Sequence, residues 1–421
     1  MDTIELVAPA GNFEKLKYAL AYGADAVYAG VPKFSLRVRD NDFTLENLRE
    51  AIDYTHQKGK KIYLTLNIYP HNKKLNAFKT IFTKIAKMRP DGIILSDPGV
   101  ILMARSYCPQ LPIHLSTQAN TINWMSVKFW QEIGVSRIIL SRELSIEEIR
   151  EIRKAVADIE LESFVHGAIC IAYSGRCLLS NYFNHRDSNQ GTCTNSCRWR
   201  YRIYKRDQDH HYLEEQERPN ALMPVSEDEF GTYIMNSKDL CTINLLDRLR
   251  HCGIDSFKIE GRTKSIYYLS VITRAYRLAL DNLLNDSPVD STVEREIYAV
   301  ANRGYITGFL EKNPAKDGQN YLSSQSDNQT HQFSGKIIDF YPERMMVTVS
   351  IRNQVNVGDT LELLSPPPVL LQKFKLEKMF SRDDQEILVA HGGGQEVRMG
   401  IPFTPSPFSL LRKAVGKVSQ K

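Results

Sequence analysis

The feature that most constrains this chain is an alternation. Short apolar runs take turns with amphipathic runs between residues 4 and 259. The apolar runs are Ile4–Ala8, Ala26–Ala29, Ile62–Leu66, Gly92–Ser96, Ile113–Thr117, Arg137–Ser141, Leu161–Val165 and Phe257–Ile259. Several are apolar almost throughout, as expected for strands buried on both faces of a parallel sheet. Between them Leu45, Leu48 and Ile52 recur at helical spacing, with Thr44 as N-cap and Gly59 as stop. Asn12 and Gly23 bracket an earlier helix, and Ser145 with Glu148 forms a capping box. Eight strands alternating with helices predict an α/β fold, a (β/α)8 TIM-like barrel, with an open doubly wound sheet as the alternative. No GxGxxG or Walker A run is present, so those nucleotide-binding devices have no support.

Two stretches depart from the repeat. A cysteine-bearing insertion runs from about 167 to 252, and its part Gln208–Asp228 is polar and reads as a surface loop. After about Thr330 the runs become short and alternating: Phe333–Ile338, Met345–Ile351, Thr360–Leu364 and Glu386–Ala390. Turn residues punctuate them, which predicts a small C-terminal antiparallel β-barrel domain. The expected division is a catalytic domain over 1–330 and a β domain over 331–421.

The composition is that of a globular protein, with 42% hydrophobic and 24% charged residues among 421. No apolar run approaches the ~18–20 residues that span a bilayer. The start MDTIELVAPAG lacks the basic and apolar regions of a secretory signal, so the expected location is cytoplasmic. The net charge of +5 permits an anionic partner without demanding one.

In a barrel of this kind chemistry gathers where strands meet the loops that follow them. Those positions hold Asn67, Asp97, Gln118, Arg142, Glu143, His166, Glu260 and Arg262. Arg37 and Arg39 follow the second strand, and Lys238 and Asp239 precede the last helix–strand unit. Guanidinium groups bind carboxylates and phosphates through paired hydrogen bonds, so the set points to a small anion. Arg37, Arg39, Arg142, Arg262 and Lys238 are candidate clamps, with Asn67 and Gln118 beside them. Glu143, Asp239 and Glu260 are candidate proton-handling groups. His166 is a candidate base, or a packed or outer-lying histidine. Any one of these residues can equally be an ordinary rim ion pair or cap.

Seven cysteines are placed unevenly. Cys170, Cys177, Cys193, Cys197 and Cys241 fall in or beside the insertion, while Cys108 and Cys252 stand apart as packing residues. Six residues separate Cys170 from Cys177, fifteen separate Cys177 from Cys193, and three separate Cys193 from Cys197. In a reducing compartment such a cluster reads as metal binding or catalysis. Structural zinc sites favour paired knuckles, and only Cys193–Cys197 resembles one. Scattered thiolates suit a [4Fe–4S] cluster, with zinc nearly level on spacing alone.

The stretch Glu162–Ser180 reads ESFVHGAICIAYSGRCLLS. With Glu162, Phe164, Gly167, Ala168, Ile169, Cys170, Gly175, Cys177, Leu179 and Ser180 in place, it resembles the signature of the collagenase-like peptidase family U-thirty-two (U32). The likeness extends to ELVAPAGNFEKLKYALAYGADAVYAG, HLSTQAN, LSRELS, NSKDL and FKIEGRTKS, and so covers nearly the whole chain. Through SLRVRDNDF, LNIYPHNKKL, ILSDPG and NQGTCTNSCRWRY it is most similar to a branch that modifies tRNA. That resemblance implies 5-hydroxyuridine formation at the tRNA wobble position, with prephenate as the source of the hydroxyl oxygen. It implies a tRNA anticodon loop and a small dicarboxylate as partners, with accessory or cluster-delivery proteins besides. Cys170, Cys177 and Cys193 are the first candidate ligands, and likeness to ubiquinone-associated relatives with [4Fe–4S] clusters implies Cys241 as the fourth. Cys197 is the alternative fourth ligand. The rival readings are a peptidase, as the family's name suggests, and a non-catalytic iron–sulfur subunit.

After Cys197 comes RWRYRIYKR, in which Arg198, Arg200 and Arg202 interleave with Trp199, Tyr201 and Tyr204. Cations neutralise phosphate and aromatics stack on exposed bases, so Arg198, Trp199, Arg200 and Arg202 are candidate RNA contacts. The plainer alternative is an edge strand with cationic and aromatic faces. Lys73 and Lys74 read as a short polar turn. The C-terminal domain, with its NVGDTLELL turn, is expected to help dock tRNA.

Overall fold

A computed structural model of the chain describes residues 4–36, 42–170, 172–177, 179–184, 186–199, 201–205, 211–215, 222–225, 227–228, 231–232, 237–285, 287–288, 290–311 and 329–415. Seven parallel strands follow one another: β1 Glu5–Ala10, β2 Ala26–Gly30, β3 Lys61–Thr65, β4 Gly92–Leu95, β5 Ile113–Leu115, β6 Arg137–Ile139 and β7 Glu160–Ala168. The closing strand Ser256–Ile259 lies parallel to both β7 and β1, with Ser256 opposite Glu162 and Glu5 opposite Ser256. Eight parallel strands therefore form a closed barrel, and the doubly wound alternative is excluded.

Helices α1 Phe13–Ala21, α2 Leu45–Gln57, α3 Asn72–Met88, α4 Pro98–Tyr107, α5 Trp124–Ile133 and α6 Ile146–Ala155 return the chain between strands. Their starts are set locally, because an N-cap side chain satisfies a backbone N–H that the first turn leaves orphaned. Asn12 caps α1, and Thr44 and Ser145 form capping boxes on α2 and α6. Lys73 and Lys74 belong to the first turn of α3 rather than to a turn, and Lys74 Nζ donates to Gln190 Oε1 at 3.3 Å. Cys108 and Cys252 are buried and cap the C-termini of α4 and α8 Leu246–His251.

Strand alternation sorts side chains between two cores. Leu6, Val27, Ile62, Leu64, Ile93 and Ile138 face the helices. Val7, Tyr28, Tyr63, Ile94, Ile139 and Phe164 fill the lumen. Charged groups share the lumen's lower half. Glu162, fully buried, accepts from Lys258 Nζ at 2.7 Å, from Arg137 at 3.1 Å and from Ser256 Oγ at 3.2 Å. Arg137 also bonds Glu5 at 2.6 Å and Glu160 at 2.8 Å. The lumen is thus plugged from below and opens at the C-terminal ends of the strands.

The insertion is more structured than its composition suggests. Strands Tyr201–Lys205, His211–Glu215 and Leu222–Val225 form an antiparallel meander, so Gln208–Asp228 is not simply a loop. Backbone pairing outweighs the polar composition there. Tyr201–Lys205 is an edge strand of that meander. The chain then returns as strand Asp239–Cys241, antiparallel to β7, with Cys241 opposite His166. α9 Ile266–Leu284 and α10 Ser291–Ile297 complete the outer wall, and Tyr305–Ile306 pairs with Asp239–Cys241.

The tail is an antiparallel half-barrel. Its seven-stranded sheet includes His331–Tyr341, Met346–Ile351, Thr360–Leu364 and Leu410–Ala414, wrapped on Val347, Val349, Leu361, Leu363 and Met399. The run Glu386–Ala390 yields only the strand Val389–Ala390, and Leu388 within it is exposed. The half-barrel is joined to the barrel through buried polar groups. Arg412 bonds Glu296 at 2.7 and 3.0 Å and Glu362 at 2.9 Å. Tyr22 donates its hydroxyl to Leu364 O at 2.8 Å, and Tyr267 stacks on Phe333. Among the described residues no helix is long and apolar enough to cross a membrane.

Candidate functional site

The barrel mouth brings Asn67, Gln118, Arg142, Glu143, Glu260 and Arg262 together. Each lies within four residues of the C-terminal end of a barrel strand, and that position sets where its side chain goes. Asn67 Oδ1 accepts from the Leu36 N–H at 3.1 Å, so its Nδ2 faces Gln118 and donates to Gln118 Oε1 at 2.7 Å. Arg142 donates to Ala168 O at 2.7 Å, lies 3.7 Å from Glu260 Oε2 and covers the Phe164 ring at 3.9 Å. Arg262 donates to Leu36 O at 2.8 Å. Glu143 Oε1 accepts from the backbone N–H and hydroxyl of Ser174 at 3.0 and 3.2 Å. Buried polar atoms at this rim are left over: Gln118 Nε2, Arg142 Nε and Glu143 Oε2 have no hydrogen-bond partner among the described residues. A ligand atom that reached this rim would supply the bond each of these buried groups lacks. Asp97 serves as the N-cap of α4, accepting from the Val100 N–H at 2.9 Å.

Other expected rim groups point elsewhere. His166 is buried against Tyr268, Tyr276 and Tyr305 on the outer side of β7, with Nδ1 3.3 Å from the Tyr276 hydroxyl. Burial lowers its pKa to about 3, although Asp239 pulls the other way. It is a neutral packed imidazole, not a base at the mouth. Asp239 is buried in an ion pair with Arg303, whose backbone N–H it also accepts at 3.2 Å. Lys238 lies against Gly304. Arg37, Arg39 and Arg200 lie outside the described residues, as does the side chain of Arg198.

The cysteine segment closes over the mouth. Gly175 has φ +75°, and a Cβ there would sit 2.2 Å from Gln118 O, so only glycine lets the segment dock on that carbonyl. At Gly167, with φ +108°, a Cβ would sit 2.6 Å from Glu260 O. Tyr69 donates its hydroxyl to Gln118 O at 3.0 Å, and Asn189 Nδ2 donates to Gly175 O at 3.0 Å. Ser180 Oγ accepts from the Thr194 N–H at 3.0 Å, which folds the Cys193 turn back beside Cys177. Trp199 Nε1 donates to Thr194 O at 3.2 Å, so this ring braces the cysteine turn.

Cys170 and Cys193 each lie within electrostatic reach of Cys177. Burial raises the Cys177 pKa and the two neighbouring thiols raise it further. Cys193 Sγ accepts from the Asn195 N–H at 3.4 Å. Three soft donors on one glycine-anchored segment fit a soft metal or an iron–sulfur centre. Among the described residues, no three ligating side chains already converge closely enough to hold an ion. Cys197 is half-buried on the same segment. Cys241 is on the outer side of β7, where the Tyr276 hydroxyl lies 3.8 Å from its sulfur and burial raises its pKa. It lines a separate cleft of about 450 Å³ with Glu294, Tyr298, Tyr305 and Glu311.

Residues 11–320 match Peptidase family U32, and residues 329–412 match the Peptidase family U32 C-terminal domain. The chain belongs to peptidase family U32. It is 46% identical to tRNA hydroxylation protein P of Escherichia coli (strain K12), covering 94% of both chains. It is 37% identical to tRNA hydroxylation protein P1 of Bacillus subtilis (strain 168), over 97% of this chain and 94% of that one. A third U32-type relative, the Collagenase of Porphyromonas gingivalis, is 27% identical over 89% of each chain.

Within this U32 chain, sequence reasoning passed over several participants. Ser96 and Ser116 bond the Gln118 amide, Ser174 holds Glu143, and Arg303 captures Asp239. A serine directly after each of β4 and β5 was the available signal for the first two. Tyr173 and Trp124 are exposed at 61% and 45%, the first between two cysteines and the second opening α5 at the mouth end.

Proposed function

We propose that this U32 chain is a tRNA-modifying enzyme that forms 5-hydroxyuridine at the wobble position, independently of oxygen and with prephenate as the hydroxyl source. The observation that carries the reading is the seat of Gly175 on Gln118, which joins a thiol-rich segment to a polar mouth with unspent donors. The full-length likeness to relatives named for tRNA hydroxylation supports the substrate class. In this reading Gln118, Arg142 and Arg262 hold the carboxylates of the small acid, and Glu143 Oε2 holds or moves a proton. Cys170, Cys177 and Cys193 would hold a [4Fe–4S] cluster, with Cys197 or Cys241 as the fourth ligand. Bound there, such a cluster would supply electron-transfer chemistry beside the mouth. Tyr173 and Trp124 would stack on unpaired bases of the anticodon loop, and Arg202 would meet phosphate.

His166 faces α9, and His114 stacks on Tyr63 within the lumen. Neither of these two imidazoles is therefore placed to serve as a peptidase's base at the mouth. The test is nucleoside mass spectrometry of bulk tRNA from anaerobically grown cells lacking the chain. Loss of wobble 5-hydroxyuridine derivatives is expected, and their persistence at wild-type level would overturn the proposal.

A further inference from the structure

The Gln118 side-chain amide is held in one orientation by a chain of hydrogen bonds that starts from a backbone group. A backbone N–H can only donate, so the 3.1 Å bond from Leu36 N identifies the Asn67 atom facing it as oxygen. Asn67 Nδ2 must then face Gln118, and the Gln118 atom 2.7 Å away must be Oε1. Two hydroxyls converge on that same oxygen, Ser96 Oγ at 3.2 Å and Ser116 Oγ at 3.2 Å. Ser96 Oγ is also 3.1 Å from Asn67 O, and Ser116 Oγ is 3.4 Å from Asn67 Nδ2, so the four side chains form one closed network. All four are buried. The acceptor end of Gln118 is saturated, while its Nε2 has no partner among the described residues. A buried amide nitrogen in that state carries two unspent donors in a fixed direction.

We propose that Ser96 and Ser116 are positioning residues which, with Asn67, lock the Gln118 amide so that its NH2 group faces the ligand. The mouth thereby offers one carboxylate of a small acid a neutral donor that no pH change can switch off, beside the guanidinium groups of Arg142 and Arg262. A flipped amide would present a carbonyl oxygen and repel the same carboxylate, so the network acts by excluding the wrong orientation. This inference rests on the reading that the mouth takes a small dicarboxylate. It adds residues whose only route to the ligand is through Gln118.

The test measures prephenate binding by calorimetry, steady-state kinetics with tRNA, and tRNA affinity in parallel, on the full chain loaded with its metal centre. Gln118→Met keeps the shape and removes the donors, and about ten-fold weaker prephenate binding is expected. The double variant Ser96→Ala/Ser116→Ala should raise KM for prephenate by about five-fold while leaving kcat at saturation and tRNA affinity near wild type. Ser116→Thr, which keeps the hydroxyl, should restore the wild-type KM in an otherwise unchanged chain. Melting temperatures of all variants separate these effects from misfolding. Wild-type prephenate affinity in Gln118→Met, or an equal loss of kcat and KM in the serine variant without recovery in Ser116→Thr, would overturn the inference while the dicarboxylate reading stands. Absence of any prephenate binding by the wild-type chain would overturn that reading itself.

Discussion

Lys258 Nζ donates a 2.7 Å hydrogen bond to Glu162 Oε1 inside the barrel, where both side chains are buried. Burial alone would raise the Glu162 pKa, but Lys258 and Arg137 outweigh it and hold the carboxyl below its ordinary range. Charges this deep are costly unless paired, and removal of one partner strands the other. Glu162→Gln is therefore expected to destabilise the chain by about 3–5 kcal/mol. Replacing both partners, as in Glu162→Leu with Lys258→Met, should recover part of that loss. Urea unfolding midpoints of the two variants check this, and a double variant less stable than the single one would refute it.

The cysteine assignment predicts an order of metal loss. Cys170→Ala, Cys177→Ala and Cys193→Ala should each remove most of the iron from anaerobically purified protein. Cys108→Ser and Cys252→Ala should leave it unchanged, since both thiols are buried in the helix–strand core at helix C-termini, the end of the barrel opposite the mouth. Iron and sulfide assays give the answer, and full iron in Cys177→Ala would remove the trio as ligands.

His166 makes the fold sensitive to acid. Its unfolded pKa is ~6.5, and burial lowers the folded value to about 3. Below ~6.5 the unfolded chain binds a proton that the folded chain refuses. The stabilisation is thus fully present above ~6.5 and is lost as pH falls toward 3, at up to ~1.4 kcal/mol per pH unit. His114 is also lowered by burial and titrates in the same direction. Chemical denaturation at pH 7, 6 and 5 should show a shallower decline for His166→Gln than for wild type. Parallel slopes would exclude the imidazole as a cause.

Arg412 joins the half-barrel to α10, and its loss strips Glu296 of its guanidinium partner, while Glu362 keeps Lys373 at 2.9 Å and His331 at 3.2 Å. Arg412→Met should cost about 3 kcal/mol or more. The same contacts mean that truncation after Thr330 would expose Tyr22, Tyr267 and Glu296, so point variants test the tail's role in tRNA docking better than deletion. Differential scanning calorimetry of Arg412→Met checks the coupling, and an unchanged melting profile would contradict it.

The exposed rings at the mouth predict a pattern in RNA affinity. Tyr173→Ala and Trp124→Ala should each weaken tRNA binding by about 1–3 kcal/mol, with little change in salt dependence. Arg202→Ala should instead reduce the slope of affinity against salt by about one unit. Trp199→Ala should act through the cysteine turn that its indole braces, lowering iron content as well as affinity. Filter binding at two salt concentrations separates these cases; tRNA affinity untouched by all four variants would place the RNA surface elsewhere.

What the sequence determined by itself is local. Strand and helix order and the caps at Asn12, Thr44 and Ser145 all follow from patterns within a few residues of each other. The Glu162–Ser180 signature and its glycines Gly167 and Gly175 were also readable there. What tertiary structure decided is which side of the wall each residue faces. His166 and Asp239 read as rim groups by position. Yet the pairing of β7 with the closing strand shifts register at Lys258 and Ile259, which align with Phe164 and His166. One extra residue reverses the alternation, so Phe164 enters the lumen while His166 turns to Tyr276. Asp239 is claimed by Arg303, 64 residues away, a partner that no local pattern can name. The Gln118 network draws on three strand ends in the same way, because hydrogen bonds between side chains depend on distance in space rather than along the chain.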